Sequence, residues 1–197
     1  MYTNKDCGCM NSMSHRIFIG YPIPTEIQDV LAGYQGKIRR LPIRWLKAKD
    51  LHITFLFLGN LIDSELERLN GAVRSIAEEI APFHITFSKI QAGPPGVTPR
   101  LIWVEARMDR SLDKELISLK KMLQDLKIPF KENTRAFHPH LTLGRLNSSG
   151  SLKKDHVFYD DLGLAFTVSN LEVLESHLSR EGAEYKLVAS CILKGKN

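Results

Sequence analysis

One order of elements is written twice in this chain, and that repeat limits its folds more than any other feature. In the first half, an apolar segment opening at Arg16 reads as a strand. Helical spacing follows from Pro24 through Ile27, Val30, Leu31 and Tyr34, and then a strand that opens His52-Ile53-Thr54 and stops at Gly59. In the second half, a strand opens at Leu101. A helix capped by Ser111 follows, with Leu112, Leu116, Leu119, Leu123 and Leu126 on one face, and then a strand that opens His140-Leu141-Thr142 and stops at Gly144. Short runs rich in β-branched and aromatic residues favour strands, and apolar steps of three and four favour helices. Such a unit can bury its apolar face only against another layer. The expectation is an α+β fold: bilobal, built from duplicated strand-helix-strand units, with two antiparallel sheets facing a central cleft and helices outside.

The remaining elements fit that frame. Ser64 and Glu67 have capping-box spacing ahead of Leu66, Leu69, Val73, Ile76 and Ile80, an apolar helical stripe. Strands are expected at 83–91, 165–169, 171–178 and 185–192, with a proline-glycine loop from Gly93 to Pro99. At 197 residues and 43% hydrophobic, the chain suits a single domain over 16–197 behind a flexible polar leader, 1–15. Its longest apolar run, 53–58, is far too short to span a bilayer, so a cytoplasmic monomer without membrane contact is expected. Cys7, Cys9 and Cys191 make no disulfide framework, and one C-x-C without a second ligand pair is weak for metal. A net charge of +5 tilts the choice of partner mildly toward an anion such as nucleic acid.

The chemistry sits in the two H-x-T triplets. Residues i and i+2 of a strand share a face, so each triplet sets an imidazole beside a hydroxyl. Two such strands across a cleft surround one small anion with two histidines and two threonines. That set can cleave a phosphodiester without metal: a neutral imidazole takes a proton from water while a protonated one supplies the leaving oxygen. The hydroxyls hold the phosphoryl oxygens. Ordinary histidines titrate near ~6.5, so a bell-shaped rate centred near neutrality is expected. A third triplet, His84-Ile85-Thr86, falls outside the repeat. Its counterpart is about Thr167-Val168-Ser169, which has no histidine, so His84 is read as a strand-surface or packing residue.

His52-Ile53-Thr54-Phe55-Leu56-Phe57-Leu58-Gly59 and His138-Pro139-His140-Leu141-Thr142-Leu143-Gly144-Arg145 resemble the paired motifs of the two-histidine (2H) phosphoesterases. More narrowly, the chain is similar to the RNA 2′,3′-cyclic phosphodiesterases once called 2′-5′ RNA ligases. Arg16-Ile17-Phe18-Ile19-Gly20, Pro99 to Trp103, and Leu174 to Leu178 followed by Gly182 and Tyr185 extend the match. The resemblance implies a bilobal α+β fold, no metal or cofactor, and an RNA end bearing a 2′,3′-cyclic phosphate, opened to a 2′-phosphate. It implies His52 as proton donor, His140 as proton acceptor, and Thr54, Thr142 and Arg145 as phosphate ligands. Strict alternation points Arg145 away from His140, so this role requires a bend or bulge near Gly144.

Other features carry competing readings. His138 and His140 form an H-x-H that could bind zinc, but Pro139 lies between them and no acidic or cysteine ligand is near in sequence. The basic stretch Lys37, Arg39, Arg40, Arg44, Lys47 and Lys49 is either an RNA track or a solvated loop. Trp103 and Phe137 suit base stacking or core packing. His15, His156 and His177 receive no role. No G-x-x-x-x-G-K loop is present for nucleotide triphosphates. Rival functions are another 2H activity, such as 2′-5′ linkage cleavage, ligation or small cyclic nucleotide hydrolysis, and a non-catalytic RNA-binding module.

Overall fold

The computed structural model describes residues 14–38, 41–132, 137–147, 152–154, 156–178 and 183–195. The leader up to residue 13 with Cys7 and Cys9, Arg39, Arg40, Gly182 and most of the 147–151 loop lie outside the described residues.

Among the described residues, nine strands and three helices follow one another as β1 (Ser14–Pro22), α1 (Thr25–Lys37), β2 (Ile43–Trp45), β3 (His52–Ile62), α2 (Asp63–Glu79), β4 (Phe83–Gly93), β5 (Leu101–Met108), α3 (Asp113–Asp125), β6 (His140–Leu146), β7 (Val157–Val168), β8 (Asn170–Leu178) and β9 (Ala183–Ile192). A single 3₁₀ turn, Ala48–Asp50, precedes β3. The strand order is β7-β4-β5-β6-β3-β1-β8-β9, with β2 on β6. Reading outward from the centre, β6-β5-β4-β7 mirrors β3-β1-β8-β9, which is the duplication expressed in three dimensions. The two halves are not separate sheets: one antiparallel pair, Ile53 opposite Leu141, joins them.

The repeat also exchanges strands. β4 follows α2 in the chain but pairs with β5 and β7, while β8 pairs with β1. The counterpart of β4 is therefore β8, not the end of β7. Sequence could not show this, because an antiparallel ladder depends on distant partners and not on chain order.

Helix starts also move from their sequence positions. α2 begins directly off β3, and the Glu65 carboxylate, not Glu67, accepts the Ile62 amide at 2.9 Å. Ser64 lies inside the first turn because no loop separates strand from helix. Ser111 sits ahead of α3, where its hydroxyl accepts the Asp113 amide at 3.2 Å. The first strand reaches back two residues from Arg16, since His15 is tied to Glu175 at 2.8 Å and to Asp63 at 2.9 Å.

Leu69, Val73 and Ile76 on α2 are fully buried, as are Leu119 and Leu123 on α3. Each such side chain contributes about 1.5–3 kcal/mol through burial. α2 packs on β3, β8 and β9 and meets α3. α1 buries Leu31 and Gln35 rather than Val30. The Gln35 amide donates to Leu46 O at 3.0 Å and Leu143 O at 3.1 Å, clamping the end of β2 to β6. Among the described residues no helix is long and apolar enough to cross a membrane.

Candidate active site

A cleft of about 480 Å³ opens where β3 and β6 meet. His52, Thr54, His140, Thr142 and Arg145 all line it, and no residue of the three helices does. The two triplets that the repeat places in equivalent positions thus meet in space.

Arg145 reaches the cleft through a bulge. Along β5 and β6, Ile102 opposes Gly144 and Trp103 opposes Thr142, so Leu143 is an extra residue. One extra residue inverts the alternation that follows and returns Arg145 to the face of His140 and Thr142. β2 then holds this end of β6, with Arg44 opposite Arg145 and Trp45 opposite Gly144. A side chain at Gly144 would meet Ile43 at 2.6 Å and Trp45 at 2.9 Å, so only glycine lets β2 approach this closely.

Both imidazoles are held alike. His52 Nδ1–H donates to the Asp50 carbonyl at 2.8 Å, and His140 Nδ1–H donates to the His138 carbonyl at 2.9 Å. A carbonyl can only accept, so each proton is fixed on Nδ1 and each Nε2 is left for the cleft. The Thr54 hydroxyl donates to His52 Nε2 at 3.1 Å. Aromatic rings fix the planes: His52 lies 4.6 Å from Phe18 and 4.7 Å from Tyr185, and His140 lies 4.4 Å from Trp103.

Burial lowers His52 from 6.5 to about 4, against the Asp50 carbonyl bond that raises it, with the charges of His140 and Arg145 adding to the lowering. Burial likewise lowers His140, opposed by its bond to the His138 carbonyl and aided by the charges of His138 and Arg145. Without an anion both are therefore neutral at pH 7. A phosphate between them reverses part of this by favouring the cation.

Several residues that sequence reasoning passed over take part. Asp50 is buried; its carbonyl orients His52 and its carboxylate accepts the Tyr185 amide at 3.1 Å. Arg145 also donates to the Tyr185 hydroxyl, whose proton affinity burial raises. Backbone acceptors leave no trace in residue identity, so Asp50 carries no signal in the sequence, whereas Tyr185 belongs to the family resemblance without a role of its own.

His84 stands elsewhere, exposed on β4, where its Nδ1 and the Thr167 hydroxyl share a hydrogen bond of 3.1 Å. His138 lends the site its carbonyl, and its ring leans on Trp103 at 5.8 Å. Among the described residues no cluster of three or more His, Cys, Asp or Glu could hold a metal ion. Of the basic stretch, Arg44 and Lys47 line the cleft; Lys47 pairs with Glu184. Trp103 is buried, and Phe137 packs on Phe55.

A family model described as the 2′-5′ RNA ligase superfamily matches residues 26–180. The RNA 2′,3′-cyclic phosphodiesterase of Bacillus subtilis is 30% identical over 167 residues, 83% of this chain and 88% of its own length. The protein of the same name from Methanocaldococcus jannaschii is 26% identical over 179 residues, 88% of this chain and 98% of its own. Among solved structures, TT0787 of Thermus thermophilus superposes with a TM-score of 0.77 at 24% identity, covering 92% of this chain and 100% of that one. The apo form of Escherichia coli LigT gives 0.69 at 22%, covering 92% and 98%. At these identities the structural matches speak for the fold alone.

Proposed function

This chain belongs to the 2′-5′ RNA ligase superfamily, and we propose that it hydrolyses 2′,3′-cyclic phosphates at RNA ends to 2′-phosphates without metal. One observation carries the reading. Two H-x-T triplets from the two halves line a single cleft, each with Nδ1 tied back to a carbonyl and Nε2 left to act. The relatives named RNA 2′,3′-cyclic phosphodiesterase supply the substrate class.

In this mechanism the cyclic phosphate lies between the imidazoles. Thr54, Thr142 and Arg145 hold its oxygens and keep phosphorus in line with the attacking water. His140 Nε2 takes the proton of that water as the new P–O bond forms. His52 Nε2–H donates to O3′ as the P–O3′ bond breaks, leaving the phosphate on O2′. The opposite carbonyl bonds stabilise each imidazolium as it appears.

Enzyme in excess over a nucleoside 2′,3′-cyclic phosphate, followed by phosphorus NMR, tests the reading. Complete conversion to the 2′-phosphate is expected. Tight binding with no conversion makes the chain an RNA-binding module instead.

A further inference from the structure

We propose that His15 is a positioning residue: its imidazolium bridges two carboxylates behind the cleft wall, holds Arg16 and Ser176 in place for substrate, and releases them when it loses its proton. The proposal rests on the hydrolytic reading above and adds a pH dependence of binding that is separate from the two catalytic histidines.

Geometry fixes the charge of His15. Its Nδ1 lies 2.8 Å from Glu175 Oε1, and its Nε2 lies 2.9 Å from Asp63 Oδ1. A carboxylate only accepts, and a neutral imidazole carries a single N–H, so both bonds together need the cation. The side chains of His15 and Glu175 are 20% and 13% exposed, which shelters this arm, whereas Asp63 is 68% exposed. Glu175 also faces His177, whose Nε2 lies 3.3 Å from Oε2, and Lys186 of β9. On β3, His15 opposes Leu61, which brings no charge. The bond to Glu175 and then the bond to Asp63 raise the affinity of His15 for its proton, against burial.

The bridge stands where the backbone ladder ends. β1 pairs with β8 from Ile17 to Gly20, opposite Glu175 to Glu172, and this pairing stops short of Arg16 and Ser176. Both of those residues line the cleft. Alternation along the strands sets their neighbours, His15 and Glu175, on the other face. Among the described residues, the side-chain bridge therefore continues a junction that the ladder leaves open. Asp63 opens α2 directly off β3, so the same imidazolium ties this wall to the strand that carries His52 and Thr54. Loss of the proton leaves one N–H for two acceptors and breaks one arm. The bridge is complete below pH 6.5 and is lost as pH rises through the raised value, the opposite sense to the buried His52.

The test compares wild type, His15→Gln and His15→Arg on adenosine 2′,3′-cyclic phosphate from about pH 6 to about pH 9, across the range in which imidazole loses its charge. The catalytic histidines are common to all three, so their titration cancels in the ratio of variant to wild type. Near the acid end, His15→Gln should raise KM about 5-fold with kcat unchanged, the upper range for a solvent-accessible ion pair. That ratio should fall toward one as the wild type loses its own bridge. His15→Arg, charged throughout, should have the lower KM at the alkaline end. A KM ratio that stays constant with pH, a matching fall in kcat, or no gain from arginine overturns the proposal. Should His15→Gln fail to fold, the alkaline comparison of His15→Arg with wild type decides alone. If the wild type turns over nothing, the hydrolytic reading fails on its own. The affinity of the same proteins for adenosine 2′-phosphate over the same pH range then decides the bridge: the same pattern supports it, and ratios independent of pH refute it.

Discussion

At the residue scale, the two imidazoles share one device and differ in their surroundings. Each is oriented by a carbonyl two positions earlier in the chain, Asp50 or His138. His52 is additionally enclosed by Phe18 and Tyr185, and burial lowers it to about 4; burial lowers His140 as well. The proposed donor role of His52 therefore requires the bound phosphate to favour its charged form. Replacing either histidine by alanine should reduce turnover by ~10²–10⁴, the usual worth of one general acid or base. His84→Ala should leave it near the wild-type rate. The roles are separated by a substrate whose leaving group needs no proton, such as a nitrophenyl phosphodiester. His52→Ala should keep much of its rate there and His140→Ala should not; the reverse pattern exchanges the two roles.

The same burial changes the expected pH dependence. Ordinary imidazoles point to an optimum near neutrality, but the profile of kcat/KM reports the free enzyme, where both groups are lowered. Its bell should lie on the acid side of 6.5, while the bell in kcat, set by the complex, should lie at higher pH. Superimposed bells would contradict the burial argument. Stability carries a matching sign. Between pH 6.5 and about 4 the unfolded chain holds a proton on His52 that the folded chain does not. Stability therefore falls as pH drops through that window, and binding of inorganic phosphate should offset the fall.

At the scale of elements, what was legible in the sequence is what depends on local pattern. The apolar stripes of α2 and α3 and the strands opening at His52 and His140 follow from period and punctuation. Positions decided by distant partners were not legible. β2 is three residues long and exists because β6 offers it an edge. The bulges at Phe55 and Leu143 appear only once β1 and β5 are aligned alongside. The need for a bulge near Gly144 could be inferred from Arg145, but its residue could not.

Gly144→Ala tests this edge. Its Cβ would press on Ile43 and Trp45, so β2 must shift and carry Arg44 with it. The expected cost is ~1–3 kcal/mol of stability, as for other overpacked sites, together with a raised KM. Gly33→Ala, in α1 with no heavy atom within 4 Å of the added carbon, should instead stabilise by ~0.4–1 kcal/mol. Thermal unfolding of the two variants reads both signs, and a neutral Gly144→Ala would mean that β2 does not depend on close approach.

At the scale of the whole molecule, the duplication explains how one cleft comes to hold two equivalent histidine-threonine pairs. Each half supplies a strand with a histidine, a threonine and a bulge, and the two strands pair at Ile53 and Leu141, next to the two histidines. The α+β architecture could be expected from the repeat, whereas the exchange of β4 and β8 between halves could not, since nothing in either segment names its partner strand. Hydrolysis by two imidazoles alone is the step we propose for this cleft. Its most direct measurement is incubation of the chain with an oligonucleotide ending in a 2′,3′-cyclic phosphate, under prolonged chelation, with the product isomer identified. Undiminished conversion to the 2′-phosphate is expected, slowed ~10²–10⁴-fold in His140→Ala. Conversion that fails on chelation and returns with added zinc would contradict it.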